Sequence, residues 1–176
     1  MRYIIFVLLT LSSCSVSHNI YSQTLHTSSN RAIRLYNEGM SCYEFVDLPK
    51  AESYFREALK YDNKFYEAFM MLGELCTKQK RFSDAAKYYR EAINIDSVTF
   101  IPVFMSLADA EMMEGDYREA LRHYRKYLKY NLDQEKIKPG SGNKKNRIAV
   151  EKNIKNCEFA VEAMKKPVDF DPRSVG

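Results

Sequence analysis

Apolar and small residues recur along this chain at helical spacing. Phe82, Ala85, Ala86, Tyr89, Ala92 and Ile93 fall at i, i+3, i+4 and i+7, one buried stripe of an α-helix. The stripe returns at a fixed interval. Ala51-Glu52-Ser53-Tyr54-Phe55-Arg56-Glu57-Ala58 matches Ala85-Ala86-Lys87-Tyr88-Tyr89-Arg90-Glu91-Ala92 at a spacing of 34 residues, and Ala120-Leu121-Arg122-His123-Tyr124 follows at 35. Upstream of each lies a second motif: Leu35-x-x-Glu38-Gly39-x-x-Cys42, Phe69-x-x-Leu72-Gly73-x-x-Cys76 and Phe104-x-x-Leu107-Ala108-x-x-Glu111. Each unit therefore predicts a hairpin of helix A and helix B, at about residues 32–65, 66–100 and 101–134. Lys80-Arg81 and Gly115-Asp116 mark A–B turns, while Asp62-Asn63 and Asp96-Ser97 mark ends of helix B. A basic, Gly/Pro-rich loop over 136–145 follows. Val150, Ile154, Cys157, Val161 and Met164 then predict one amphipathic helix over 146–166 that covers the last unit and turns a Lys-rich side to water.

These motifs resemble the tetratricopeptide repeat, with an aromatic and Leu-Gly in helix A and Ala-x-x-x-Phe-x-x-Ala in helix B. The resemblance implies an all-α solenoid of three helix-turn-helix repeats plus a C-terminal capping helix. Gly39, Gly73 and Ala108 are the small residues that let helix B cross close, and Phe55, Tyr89 and Tyr124 are expected to fill the space between repeats. The chain departs from the family where Cys42, Cys76 and Glu111 stand at the tyrosine-type position.

The family's concave face is lined by fixed positions of helix A. That register assigns Ile33, Tyr36, Asn37, Met40, Tyr43 and Glu44 from the first repeat, and Glu67, Met70, Met71, Glu74, Thr77 and Lys78 from the second. From the third it assigns Pro102, Met105, Ser106, Asp109, Met112 and Met113. Of the eight methionines only Met1 and Met164 fall elsewhere, although methionine on a helix is commonly core. Flexible thioethers suit varied apolar shapes, so the expected ligand is an apolar or mildly basic peptide segment of a partner.

The N-terminus supplies an address. Met1-Arg2 precede the apolar run Tyr3–Leu11, the length of an export signal and short of the ~20 residues that span a membrane. Leu11-Ser12-Ser13-Cys14 resembles the bacterial lipobox, which implies a signal peptide over 1–13 and a lipid on Cys14 as the mature N-terminus. The alternative is a later cut, for example after Ser22, with Cys14 discarded. Residues 14–29 read as a flexible tether, with His18 and His26 solvated.

Composition narrows the chemistry. At 176 residues, with Gly 6 and Pro 5, the chain suits one core or a short helical array and not a two-domain enzyme. A net charge of +4 gives no case for nucleic acid, and the basic loop lacks a phosphate-binding motif. Cys42, Cys76 and Cys157 form no metal-type or redox pair and are expected as buried free thiols. His123 is expected as a partly exposed helical histidine, and Asp109, Glu111 and Glu114 as surface charge. No catalytic, metal or cofactor site is expected.

A narrower resemblance covers most of residues 30–176. The end of the chain, Cys157-Glu158 with Ala163-Met164-Lys165 and Pro167-Val168-Asp169-Phe170-Asp171-Pro172, is similar to the junction in envelope lipoproteins where a tetratricopeptide module leads into a β-propeller and an OmpA-like domain. Some of those serve type IX secretion. The resemblance implies an outer-membrane lipoprotein facing the periplasm, a soluble periplasmic or secreted protein being the alternative, and reads 167–176 as an extended tail where a propeller would start. Two functions follow as expectations: a scaffold that holds a peptide of an envelope partner, or an assembly subunit that self-associates or joins a complex without a peptide ligand.

Overall fold

The computed structural model describes residues 25–96, 101–140 and 143–165, and all its regular structure there is α-helix. The order is α1 Asn30–Glu44, α2 Leu48–Tyr61, α3 Tyr66–Lys78, α4 Phe82–Ile95, α5 Pro102–Glu114, α6 Tyr117–Ile137 and α7 Lys144–Ala163. The export segment with Cys14 and the tail 167–176 lie outside the described residues. No described helix is long and apolar enough to cross a membrane.

Short polar side chains set the helix starts. Ser29, Asp47, Asp116 and Asn143 each accept the backbone N–H three residues on, capping α1, α2, α6 and α7. The three A–B turns share one hydrogen-bond scheme: the N–H groups of Asp47, Arg81 and Asp116 donate to the carbonyls of Cys42, Cys76 and Glu111 at 2.9, 2.8 and 2.9 Å. The residue before each donor has positive φ: Val46 at 63°, Lys80 at 59° and Gly115 at 85°. Only the third turn supplies the glycine that this geometry favours, which is why the first carried no turn signal in the sequence.

Helices pair as α1/α2, α3/α4 and α5/α6, and these hairpins stack through α2/α3, α4/α5 and α6/α7. Close approach at the pairs depends on missing side chains. A Cβ on Gly39 would stand 2.6 Å from the Phe55 ring, and one on Gly73 would stand 2.5 Å from the Tyr89 ring. Phe55 and Tyr89 therefore fill the crossing inside their own hairpin as well as the space toward the next, where Phe55 meets Leu72 and Leu75. Burying each ring contributes about 2 kcal/mol.

The final helix continues the pattern. Val150, Asn153, Ile154 and Cys157 repeat the spacing of Phe104, Leu107, Ala108 and Glu111, so α7 packs on α6 as an A-type helix, with Val150 and Cys157 buried. Ile154 stands where the earlier units keep glycine or alanine. A B helix could not cross α7 there as α2 crosses α1.

Three expected boundaries move. Residues 25–29 belong to the fold instead of the tether, because Leu25 packs against Ala32, Ala58, Phe65 and Ala68. Helix α6 runs to Ile137, just before Pro139, and α7 starts at Lys144, so the basic loop shrinks to 138–143. Cys42, Cys76 and Cys157 are unbridged, but Cys42 is only half-buried.

Candidate peptide-binding groove

The A helices bring parts of all three repeats to one depression of about 220 Å³. Tyr36 from α1, Glu67, Met70, Met71 and Glu74 from α3, and Ser106 from α5 line it, joined by Tyr66 and Tyr89. The register assigned Tyr36, Glu67, Met70, Met71, Glu74 and Ser106 among these lining residues. It missed Tyr66 at the start of α3, and Tyr89, which reaches the groove from a B helix through the opening that Gly73 leaves.

The pocket floor is built on packed aromatic rings. Tyr36 packs its ring on Phe55 and Phe65, at 5.6 and 5.1 Å between centroids. Burial, then the nearby Glu67 carboxylate, pushes the Tyr36 hydroxyl up to about 12. Burial also pushes Tyr89 up to about 12, against the Thr77 hydroxyl 3.4 Å away. Both phenols therefore stay neutral. At the rim, Tyr43 donates to Glu74 at 3.3 Å, and Lys78 stands over the Tyr43 ring at 4.4 Å.

Other expected lining residues lie away from this pocket. Met40, Met105 and Met112 are half-buried and pack on the core clusters, as Met70 and Met71 of the pocket also do, while keeping one side toward solvent. Core and lining are both served. Asn37 and Met113 are exposed, Met113 at 58%. Asp109 turns to a hub joining α5, α6 and α7: the Tyr124 hydroxyl donates to it, and Asn153 donates to Asp109 at 3.4 Å and to Tyr124 at 3.0 Å. The Met112 sulfur lies 3.8 Å from the same hydroxyl. Burial raises the Asp109 carboxyl above the ordinary range, against the pull of both donors. Asp109 is therefore a structural acid, with Oδ1 accepting from both Tyr124 and Asn153.

Two expectations about polar residues are overturned. Glu111, expected as surface charge, is 1% exposed, and His123, expected to be partly exposed, is 6% exposed. Glu111 Oε1 accepts from Arg90 of the preceding repeat at 2.8 Å, and Oε2 lies 2.6 Å from His123 Nδ1. The carboxylate sits at the position of Cys42 and Cys76, which faces the interior, and is kept there by its two partners. Glu111, Glu119 and His123 bring one ligand-type atom each within 4.8 Å of one another. Arg90 on Glu111 and Arg122 on Glu119 already supply their counter-charge.

The second correction concerns His26, expected to be solvated. Its N–H donates to both Glu67 carboxylate oxygens at 3.2 and 3.1 Å, and its Nδ1 lies 2.6 Å from Oε1. Its ring packs against Tyr66 at 5.5 Å. The partner is 41 residues away, and no local spacing announces it.

Stacked helix pairs with glycine-closed crossings and a concave face built from A helices define a tetratricopeptide-type α-solenoid. The family described as Tetratricopeptide repeat matches residues 36–97, from α1 to just past α4. No curated protein matches the chain. Among solved structures it is similar to the Sgt2 TPR domain from Aspergillus fumigatus, at 15% identity and TM-score 0.60, covering 84% of this chain and 95% of that one. The Yersinia enterocolitica type III secretion chaperone SycD, in complex with a peptide of the translocator YopD, gives 16% identity and TM-score 0.64, covering 75% and 95%. The first TPR of Spaghetti (RPAP3), bound to the HSP90 peptide SRMEEVD, gives 13% and 0.62, covering 78% and 98%. At these identities the likeness is one of fold.

Proposed function

We propose that the chain is a non-enzymatic interaction scaffold of the bacterial envelope that holds a peptide segment of a partner protein in its concave groove. The observation that carries this reading is the shared pocket. Tyr36, Met70, Met71 and Ser106 come from three successive A helices, so a bound segment would touch every repeat at once. The peptides held by SycD and by the RPAP3 domain support the use of such a fold for this purpose.

Ligand chemistry follows from the lining. Glu67 and Glu74 stand at the rim of an apolar floor, so a peptide as acidic as SRMEEVD would meet like charge here. The chain takes an apolar or mildly basic segment, and with most of the contact apolar its affinity changes little with salt. Envelope placement rests on the export run Tyr3–Leu11 and on Leu11-Ser12-Ser13-Cys14, with a lipid on Cys14 as anchor. Three acyl chains, at ~0.8 kcal/mol per buried methylene, would hold the protein durably.

A random peptide library displayed on phage and selected on the chain provides the test. Selected peptides should be apolar with a Lys or Arg, and should lose at least tenfold affinity for Met70→Glu and Met71→Glu chains of unchanged helical circular dichroism. Full binding by those folded variants would move the site off the groove. For the anchor, radiolabelled palmitate should enter the wild type and not Cys14→Ser.

A further inference from the structure

Helix α7 closes the array, and the outer side of such a terminal element is expected to be polar. On the side opposite buried Val150 and Cys157, however, stand Ile148 at 58% and Phe159 at 78% exposure. They lie three helical turns apart on one face, about 16 Å along the axis. Nothing among the described residues covers them. Lys152 and Lys155 stand between them on the same face, and Lys144 and Lys145 extend the stripe by a turn toward the start of the helix. All six residues are exposed.

Charges beside the stripe are already paired: Arg147 with Glu135 at 2.7 Å, Glu158 with Arg125 at 2.7 Å, and Glu162 with Lys165 at 2.8 Å. The four lysines of the stripe meet no carboxylate among the described residues. Glu151 borders them, so a net excess of positive charge remains. The stripe is the convex ridge of one helix, a shape that suits an extended surface better than a peptide. Its cations are all lysines, whose long stems let the ammonium reach outward while an apolar neighbour goes under. A face built to grip carboxylates or read bases would favour the planar fork of arginine. Protruding apolar side chains among unpaired lysines match a bilayer with anionic headgroups, where each lysine strengthens partitioning about fivefold.

We propose that the outer face of α7 rests on an anionic phospholipid surface, with Ile148 and Phe159 inserted and Lys144, Lys145, Lys152 and Lys155 at the headgroups. The contact is independent of the groove and of a lipid on Cys14. The chain has no tryptophan, so Phe159→Trp provides a single reporter. In a chain starting at Ser15, which carries neither the export run nor Cys14, its emission should shift to the blue and become shielded from acrylamide when vesicles are added. The vesicles are three parts phosphatidylcholine to one part phosphatidylglycerol; phosphatidylcholine alone should leave the emission unchanged. In sedimentation with the same mixed vesicles, Lys152→Glu with Lys155→Glu should lower binding by about twentyfold or more, with helical circular dichroism unchanged. Phe159→Ser should lower it several-fold. The same charge reversal at Lys60 and Lys87, 71% and 70% exposed on α2 and α4, should change it much less.

Binding to the mixed vesicles that the Lys152 and Lys155 reversal abolishes and the Lys60 and Lys87 reversal spares upholds the inference. No binding at about 50 mM salt, where screening is weak, overturns it. Equal loss in the two double variants also overturns it, because the attraction is then one of overall charge. So does a reporter at position 159 that stays open to acrylamide on bound vesicles. Retention on poly-glutamate or duplex DNA without vesicle binding gives the lysines to another polyanion and overturns it as well.

Discussion

At the crossing of α3 and α4, Gly73 lets the Tyr89 ring lie against bare backbone and Cys76 fills the interior three residues on. At the crossing of α5 and α6 the same two positions are Ala108 and Glu111. The second hairpin is closed by volume: Cys76 keeps no charge inside, the Tyr89 hydroxyl meets only Thr77 of its own hairpin, and there is no room for an added methyl. The third is closed by polar contacts, since buried Glu111 reaches back to Arg90 and across to His123, and Tyr124 points its hydroxyl at Asp109 and Asn153. One backbone plan therefore carries two ways of fixing a repeat to its neighbours, and they fail differently.

The largest effect should come from removing what the polar hairpin leans on. Deleting residues 144–165 takes away Asn153, Val150 and Cys157, uncovers Tyr124 and Tyr127, and should lower Tm by on the order of 10 °C with aggregation, because loss at an array end propagates inward. Light scattering with a thermal melt checks this. Next is Glu111→Ala, which strands His123 and Arg90. Because the Arg90 side chain is 48% exposed, the cost should be about 2 kcal/mol, below the ~3–5 kcal/mol of a fully enclosed pair, as denaturant unfolding would show. Cys76→Ala, at the matching position, should cost about 1 kcal/mol and leave no charge behind.

An effect of similar size separates volume from propensity. Gly73→Ala would gain ~1 kcal/mol in an isolated helix but should lose 1–2 kcal/mol net here, as the Tyr89 ring is forced aside, whereas Ala108→Gly loses about 1 kcal/mol from propensity alone. A gain for Gly73→Ala in a urea melt would remove the close crossing from the account. The smallest concerns Asp109. Its carboxyl is raised by burial, so the folded state holds the proton more tightly than the unfolded one. Stability from this group is complete below the unfolded pKa, near ~4, and is lost as pH rises through the folded value. Asp109→Asn should therefore match the wild-type Tm at pH 3 and exceed it by a degree or two at pH 7.

The repeat plan was legible because it rests on periodic residues: small at Gly39, Gly73 and Ala108, large at Phe55, Tyr89 and Tyr124, and Asp62 and Asp96 at the ends of helix B. The depression was legible only in part: register alone placed Tyr36, Met70, Met71, Glu74 and Ser106 together, but not Tyr66 or Tyr89, and it put Met105, Asp109 and Met112 there as well. What was lost were partnerships. Glu111 was read as surface charge and His123 as a partly exposed histidine, each singly, although the register equating Glu111 with Cys76 already put it inside. Asp109 has the right position for the groove, but its neighbours Tyr124 and Asn153 lie 15 and 44 residues away and claim it. His26 meets Glu67 only because α3 stacks beside the start of α1, a contact that no helical period encodes.

Everything functional in this account hangs on which face meets the partner. A photo-reactive benzoylphenylalanine placed at Met71 in the groove, and separately at Lys87 on an exposed turn of α4, compares the two faces in the cells that make the protein. The account predicts a discrete covalent adduct from position 71, lost when Met70→Glu is added, and none from position 87. An adduct from position 87 with none from position 71 would contradict it.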